Sequence, residues 1–163
     1  MFIDREDAAT RLAVALAGHA GSRPVVLALT PGAAVIGRSL AASLGGELDT
    51  LCAPQRRAPD LAGRTVILLD EGMATGSPMR TALRAARAKC PAQLVCAVPV
   101  ASAQALEFVK DFADEVVCLH KPVVFDSVRQ WYRHFPPVAL EEAEAAPRRE
   151  ILHLPADAAA RAA

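Results

Sequence analysis

The segment Val66-Ile67-Leu68-Leu69-Asp70-Glu71-Gly72-Met73-Ala74-Thr75-Gly76-Ser77 decides how this chain is read. Four apolar residues run unbroken into two adjacent carboxylates. A loop of small residues follows, and Pro78 then opens a helical pattern. An apolar run without alternation is the mark of a strand buried on both faces. Such a strand carries its two acids to the edge of a sheet. Carboxylates there can accept hydrogen bonds from sugar hydroxyls. Gly72 and Gly76 let the backbone approach a ligand closely. Loop amides and a helix N-terminus can hold a phosphate. A sugar phosphate is therefore the first ligand class the segment implies.

Outward from this segment the same alternation repeats. Val25–Leu29, Leu48–Ala53, Leu94–Val100 and Glu115–Leu119 read as four further short strands. Helical stripes lie between them. Asp4 can cap a first helix bearing Ala9, Leu12, Ala13, Leu16 and Ala17, with Gly18 as its stop. Val35, Ile36, Leu40, Ala41 and Leu44 mark a second helix ending at Gly45-Gly46. A third runs from about Pro78 to Lys89 behind a Ser77 cap. Ser102 caps a fourth through about Lys110. Thr30-Pro31-Gly32-Ala33 reads as a tight loop, and Pro54–Arg64 as a basic, proline-containing loop. Five strands alternating with helices predict an α/β fold, a single-domain parallel sheet with helices on both faces. The domain is expected over residues 1–146, with residues 147–163 as a C-terminal tail. In such sheets ligands gather at the carboxyl ends of the strands. Thr30, Asp70, Pro99–Ala101 and His120 all fall at that edge.

Composition narrows the function classes. The chain has 163 residues, a formal net charge of zero, 53% hydrophobic residues and 4% aromatics. Neutral charge and few aromatics argue against a nucleic-acid surface. No apolar run reaches the ~18 residues of a membrane span, and the acidic N-terminus does not resemble a signal peptide. The cytoplasm is the expected compartment. The cysteines Cys52, Cys90, Cys96 and Cys118 form no metal-ligand spacing, so three read as small buried hydrophobes and one as a helix-end thiol. No metal site built by the protein is expected.

The segment around Asp70 closely resembles the phosphoribosyl-diphosphate binding motif of type I phosphoribosyltransferases. The resemblance runs from about Phe2 to Phe135. It is supported by the opening Phe2-x-Asp4-Arg5-x-x-Ala8, by Val116–Leu119, and by Pro122, Phe125 and Trp131-Tyr132. It is greatest to small bacterial members. The resemblance implies transfer of a phosphoribosyl group from phosphoribosyl diphosphate to a nucleophile, often a nucleobase nitrogen. It implies magnesium bound mainly through the substrate diphosphate. Asp70 and Glu71 are then the candidate catalytic pair, binding the ribose hydroxyls. Gly72, Met73, Ala74, Thr75, Gly76 and Ser77 form the 5′-phosphate loop. Thr30, Pro31, Gly32 and Ala33 occupy the diphosphate loop. The expected ligand is phosphoribosyl diphosphate or a nucleoside monophosphate, and a homodimer is the expected assembly.

Three positions differ from the family's usual pattern. Pro78 stands where the motif ends in Thr or Ser. The diphosphate loop lacks an arginine. The segment before the motif is too short for a long two-stranded flap, leaving Arg56 and Arg57 as its clustered charges. A second reading therefore stays open: a catalytically degenerate ribose-phosphate or nucleotide-binding sensor or partner protein. A phosphohydrolase or receiver-like domain would need an acid after the first strand, where Leu29-Thr30 stands.

Overall fold

The structure, a computed structural model, describes residues 1–52 and 59–141. Five parallel strands form one sheet in the order β2-β1-β3-β4-β5. They are β1 (Val25–Ala28), β2 (Glu47–Thr50), β3 (Thr65–Leu69), β4 (Gln93–Val100) and β5 (Glu115–His120). The helices are α1 (Arg5–Ala15), α2 (Pro31–Leu44), α3 (Ser77–Arg87) and α4 (Ala103–Val109). The α/β class and the five-strand parallel sheet inferred from the sequence are thus observed.

The unbroken apolar runs have a direct structural cause. Residues of β1, β3 and β4 point alternately to two separate apolar layers. Val26, Ala28, Ile67, Leu69, Val95 and Ala97 pack with α1 and α2 on one face. Val25, Leu27, Val66, Leu68, Leu94, Cys96 and Val98 pack with α3 and α4 on the other. Both faces are covered, so no position along these strands favours a polar residue. The edge strand β5 is half-buried throughout, and β2 has only Thr50 buried.

Local chemistry shifts some boundaries. Asp4 caps α1 as the sequence indicates, its carboxylate accepting from the Asp7 amide at 2.9 Å. The helix ends at Ala15, and Ala17–His19 forms a short 3-10 turn rather than stopping at Gly18. Thr30–Ala33 is not a free loop. Thr30 is the N-cap of α2 and Pro31–Ala33 its first turn, because the Thr30 hydroxyl accepts from the Ala33 amide at 3.1 Å and Pro31 favours the first helical position. Gly45, in the left-handed region at φ 68°, ends α2. The cap of α3 is Gly76, not Ser77; its φ of 77° suits glycine, and Ser77 is already helical. Of the cysteines, Cys96 is buried, Cys52 and Cys118 are half-buried, and Cys90 is exposed. Strand β2 stops at Thr50, and Ala53 lies outside the described residues, as do Arg56, Arg57 and the tail 147–163. Among the described residues, no helix is long and apolar enough to cross a membrane.

The C-terminal segment completes the body. Tyr132 is buried and packs on Phe2 with ring centroids 5.3 Å apart. Backbone bonds lace the two ends together: Phe2 donates to Trp131 O at 2.7 Å, and Arg133 donates to Phe2 O at 2.9 Å.

Candidate functional site

The site follows from strand order. From β1 the chain crosses to β2 on one side, while β3 lies on the other. The carboxyl ends of β1 and β3 therefore flank a switch point, where open α/β sheets form a crevice. Register brings those ends level: Ala28 pairs with Leu69, and Leu69 with Ala97. Thr30 follows β1 and Asp70-Glu71 follow β3, so residues distant in sequence become neighbours. The Thr30 hydroxyl lies 3.1 Å from Asp70 Oδ1 and 3.2 Å from Glu71 Oε2. It has one proton and can donate to only one of the two carboxylates at a time.

The two acids differ in environment. Burial, the largest influence, pushes the Asp70 carboxyl up to about 6. The Glu71 amide and the Thr30 hydroxyl, both bonded to it, act in the opposite direction, and the neighbouring Glu71 charge adds to the rise. Glu71 turns toward α2. Its Oε1 accepts from Arg5 Nε at 2.6 Å, with the Arg5 and Glu71 side chains only 8% and 14% exposed. The Glu71 carboxylate rests directly over Gly32. A Cβ on Gly32 would lie 2.1 Å from Oε1, so this position accepts only glycine while Glu71 keeps its place. The Glu71 carbonyl accepts from Tyr132 Oη at 2.7 Å.

Beyond the acids, the loop divides into a buried wall and an exposed rim. Gly72 is buried; a Cβ there would meet Val100 and Val128 Cγ1 atoms at 2.9 Å each. Met73 points into the apolar layer under α3, and its backbone groups are engaged with Val100 O and the Ser102 amide. The structure thus does not bring Met73's side chain or polar backbone to the rim. Ala74, Thr75 and Ser77 are exposed and Gly76 is buried beneath them. Thr75 Oγ1 accepts from the Ser77 amide at 3.3 Å. Ser102 fixes the rim from outside by donating to Ala74 O at 2.7 Å while capping α4. On the facing side, the first turn of α2 has few free amides: Pro31 has none, and the Ala33 and Ala34 amides are bonded to Thr30. Of Pro31, Gly32 and Ala33, only Gly32 offers an amide that is not bonded to Thr30.

A model of the phosphoribosyl transferase domain matches residues 3–128. The chain belongs to this family. Solved structures agree. The protein TT1426 from Thermus thermophilus superposes with a TM-score of 0.82 at 31% identity, over 89% of this chain and 96% of that one. A hypoxanthine-guanine-xanthine phosphoribosyltransferase superposes with a TM-score of 0.54 at 22% identity, over 72% of this chain and 76% of that one, and shares the fold. Rv0571c of Mycobacterium tuberculosis, provisionally named a phosphoribosyl transferase, is 40% identical over 75 residues. That match spans 46% of this chain and 17% of the relative's length.

Within this family site, sequence reasoning overlooked the functions of Arg5 and Tyr132. Arg5 was visible only as part of the opening motif, and Tyr132 as an apolar anchor. A signal for Arg5 did exist. It occupies the first turn of a helix, where a cation opposes the helix dipole. An arginine there calls for a distant carboxylate. His19 also has a partner the sequence did not suggest, Glu115 Oε2 at 2.8 Å, but it lies at the other end of β5.

Proposed function

We propose that this chain transfers a phosphoribosyl group from phosphoribosyl diphosphate to a nitrogen nucleophile, with Asp70 and Glu71 as the pentose seat. The observation that carries this reading is the pairing of the two carboxylates through Thr30 at the switch point, next to a glycine-bounded rim at the start of α3. The ring hydroxyls donate to Asp70 and Glu71. The 5′-phosphate sits against Ala74, Thr75, Gly76 and Ser77. Pro78 supplies no N–H, so Ser77 provides the hydroxyl that the motif's usual last residue would give. Thr30–Ala33 faces the diphosphate.

In the reaction, the bond from the anomeric carbon to the diphosphate oxygen breaks with its electron pair leaving on diphosphate. The acceptor nitrogen bonds to that carbon and releases its proton. Positive charge builds on the ring, and two fixed carboxylates in a partly dry site favour it. Among the described residues no group of three or more His, Cys, Asp or Glu could hold a metal ion. An acid pair suits magnesium that arrives on the diphosphate and keeps most of its own waters.

Calorimetric titration tests the reading. Phosphoribosyl diphosphate with magnesium is expected to bind more tightly than ribose 5-phosphate. Asp70→Asn combined with Glu71→Gln is expected to weaken both by roughly tenfold or more, with melting retained. Unchanged affinity in that double variant would refute the assignment of the acids.

A further inference from the structure

We infer that Arg5 is a positioning residue for pentose recognition, holding Glu71 in its binding geometry from beneath the site. The inference rests on the pentose seat proposed above and concerns a residue that touches neither ring nor phosphate. Glutamate has three rotatable side-chain bonds, and Asp70 stands next to Glu71. Left alone, two adjacent carboxylates repel and the longer one swings toward water. Arg5 opposes that motion. Its Nε bonds Glu71 Oε1 at 2.6 Å, leaving Oε2 turned to Thr30.

Arg5 is itself immobilised from two further directions. Its Nη1 donates to Pro136 O at 2.9 Å, and its guanidinium lies 4.0 Å from the centre of the Phe135 ring. One planar group thus joins the start of α1, the end of β3 and the C-terminal segment. The planar fork suits this task, and an ammonium would make one contact where the guanidinium makes three. The ordering of Glu71 is completed before any ligand arrives, which is how preorganisation raises affinity. Among the described residues, Arg5 has no hydrogen bond to the loop 72–77. Its influence should therefore fall on the pentose and spare the phosphate.

This selectivity supplies the test. Affinities for ribose 5-phosphate and inorganic phosphate are measured by calorimetry on the full chain. The variants are Arg5→Met, Arg5→Lys, Glu71→Gln and Arg5→Met with Glu71→Gln. Arg5→Met is expected to weaken ribose 5-phosphate about tenfold while leaving phosphate within about twofold, as loss of an orienting partner does. Arg5→Lys is expected to recover part of that loss. In the Glu71→Gln background, Arg5→Met should add nothing, because the two residues act as one unit. The inference is overturned if Arg5→Met leaves ribose 5-phosphate affinity intact, weakens both probes alike, or adds its whole loss to Glu71→Gln. Arg5→Lys provides the same contrast should Arg5→Met not fold. A wild-type protein that binds ribose 5-phosphate no better than inorganic phosphate overturns the pentose seat itself. Discrimination that persists in every Arg5 variant overturns only the role of Arg5.

Discussion

Replacing Gly32 by alanine isolates the geometry on which the site depends. The new Cβ would lie 2.1 Å from Glu71 Oε1, 2.2 Å from its Cδ and 2.3 Å from Oε2. Ordinary contact begins near 3.4 Å, so the carboxylate must retreat by about 1.3 Å. Added to the 2.6 Å bond from Arg5, that retreat stretches the pair to about 4 Å. A charge-assisted bond worth about 1.5–3 kcal/mol is lost. Alanine within a helix returns about 0.5–1 kcal/mol relative to glycine. The net expectation is about 1–2 kcal/mol of destabilisation, or a melting temperature lower by about 2–8 °C for a chain of this size. Ribose 5-phosphate affinity should fall together with it. Gly18→Ala is the control, since a Cβ there meets nothing within 4 Å. Thermal denaturation and calorimetry on the two variants read the result. If Gly32→Ala melts at or above the wild-type temperature and binds normally, Glu71 does not need the seat described for it.

Two further expectations concern Asp70 and Tyr132. Because burial raises the Asp70 carboxyl to about 6, the folded protein binds its proton more tightly than the unfolded chain does. The penalty from this charge is therefore present above about pH 6 and disappears as pH falls below the ordinary value of 3.8. Asp70→Asn should accordingly stabilise the free protein at neutral pH by about 1–3 kcal/mol and have little effect near pH 3.5, as followed by urea denaturation. Wild-type affinity for ribose 5-phosphate should rise through pH 6 more steeply than in Asp70→Asn, where only the ligand's phosphate ionises. Tyr132→Phe leaves the Glu71 carbonyl without its 2.7 Å donor and should cost about 1–3 kcal/mol in the same denaturation assay. A neutral result would mean that water replaces the hydroxyl at no cost.

The sheet was legible in the sequence because its physics is local. Val25–Leu29 and Val66–Leu69 are apolar at every position, and only strands covered on both faces use such runs economically. Asp70 and Glu71 were legible for the complementary reason, as charges placed where apolar sequence ends. What stayed hidden depends on distance or on backbone conformation. Thr30 reads as a loop until its hydroxyl is seen to bond the Ala33 amide. Gly76 rather than Ser77 caps α3 because the chain needs a positive φ there, which residue type suggests but spacing does not fix. Arg5 and Glu71 are 66 positions apart, and Tyr132 is 61 from Glu71. No periodicity carries pairings of that span. Met73 shows the converse: its place inside the motif suggests contact with ligand, yet its apolar side chain belongs to the core.

The lacing of Phe2 to Trp131 and Arg133, with Arg5 fastened to Pro136, has a consequence for biosynthesis. Helix α1 and strands β1 to β4 can gather while the chain is still emerging from the ribosome. Glu71 cannot be locked until Pro136 has cleared the exit tunnel. The half-made protein therefore carries its acids unrestrained, and the substrate seat is the last part of the molecule to become finished.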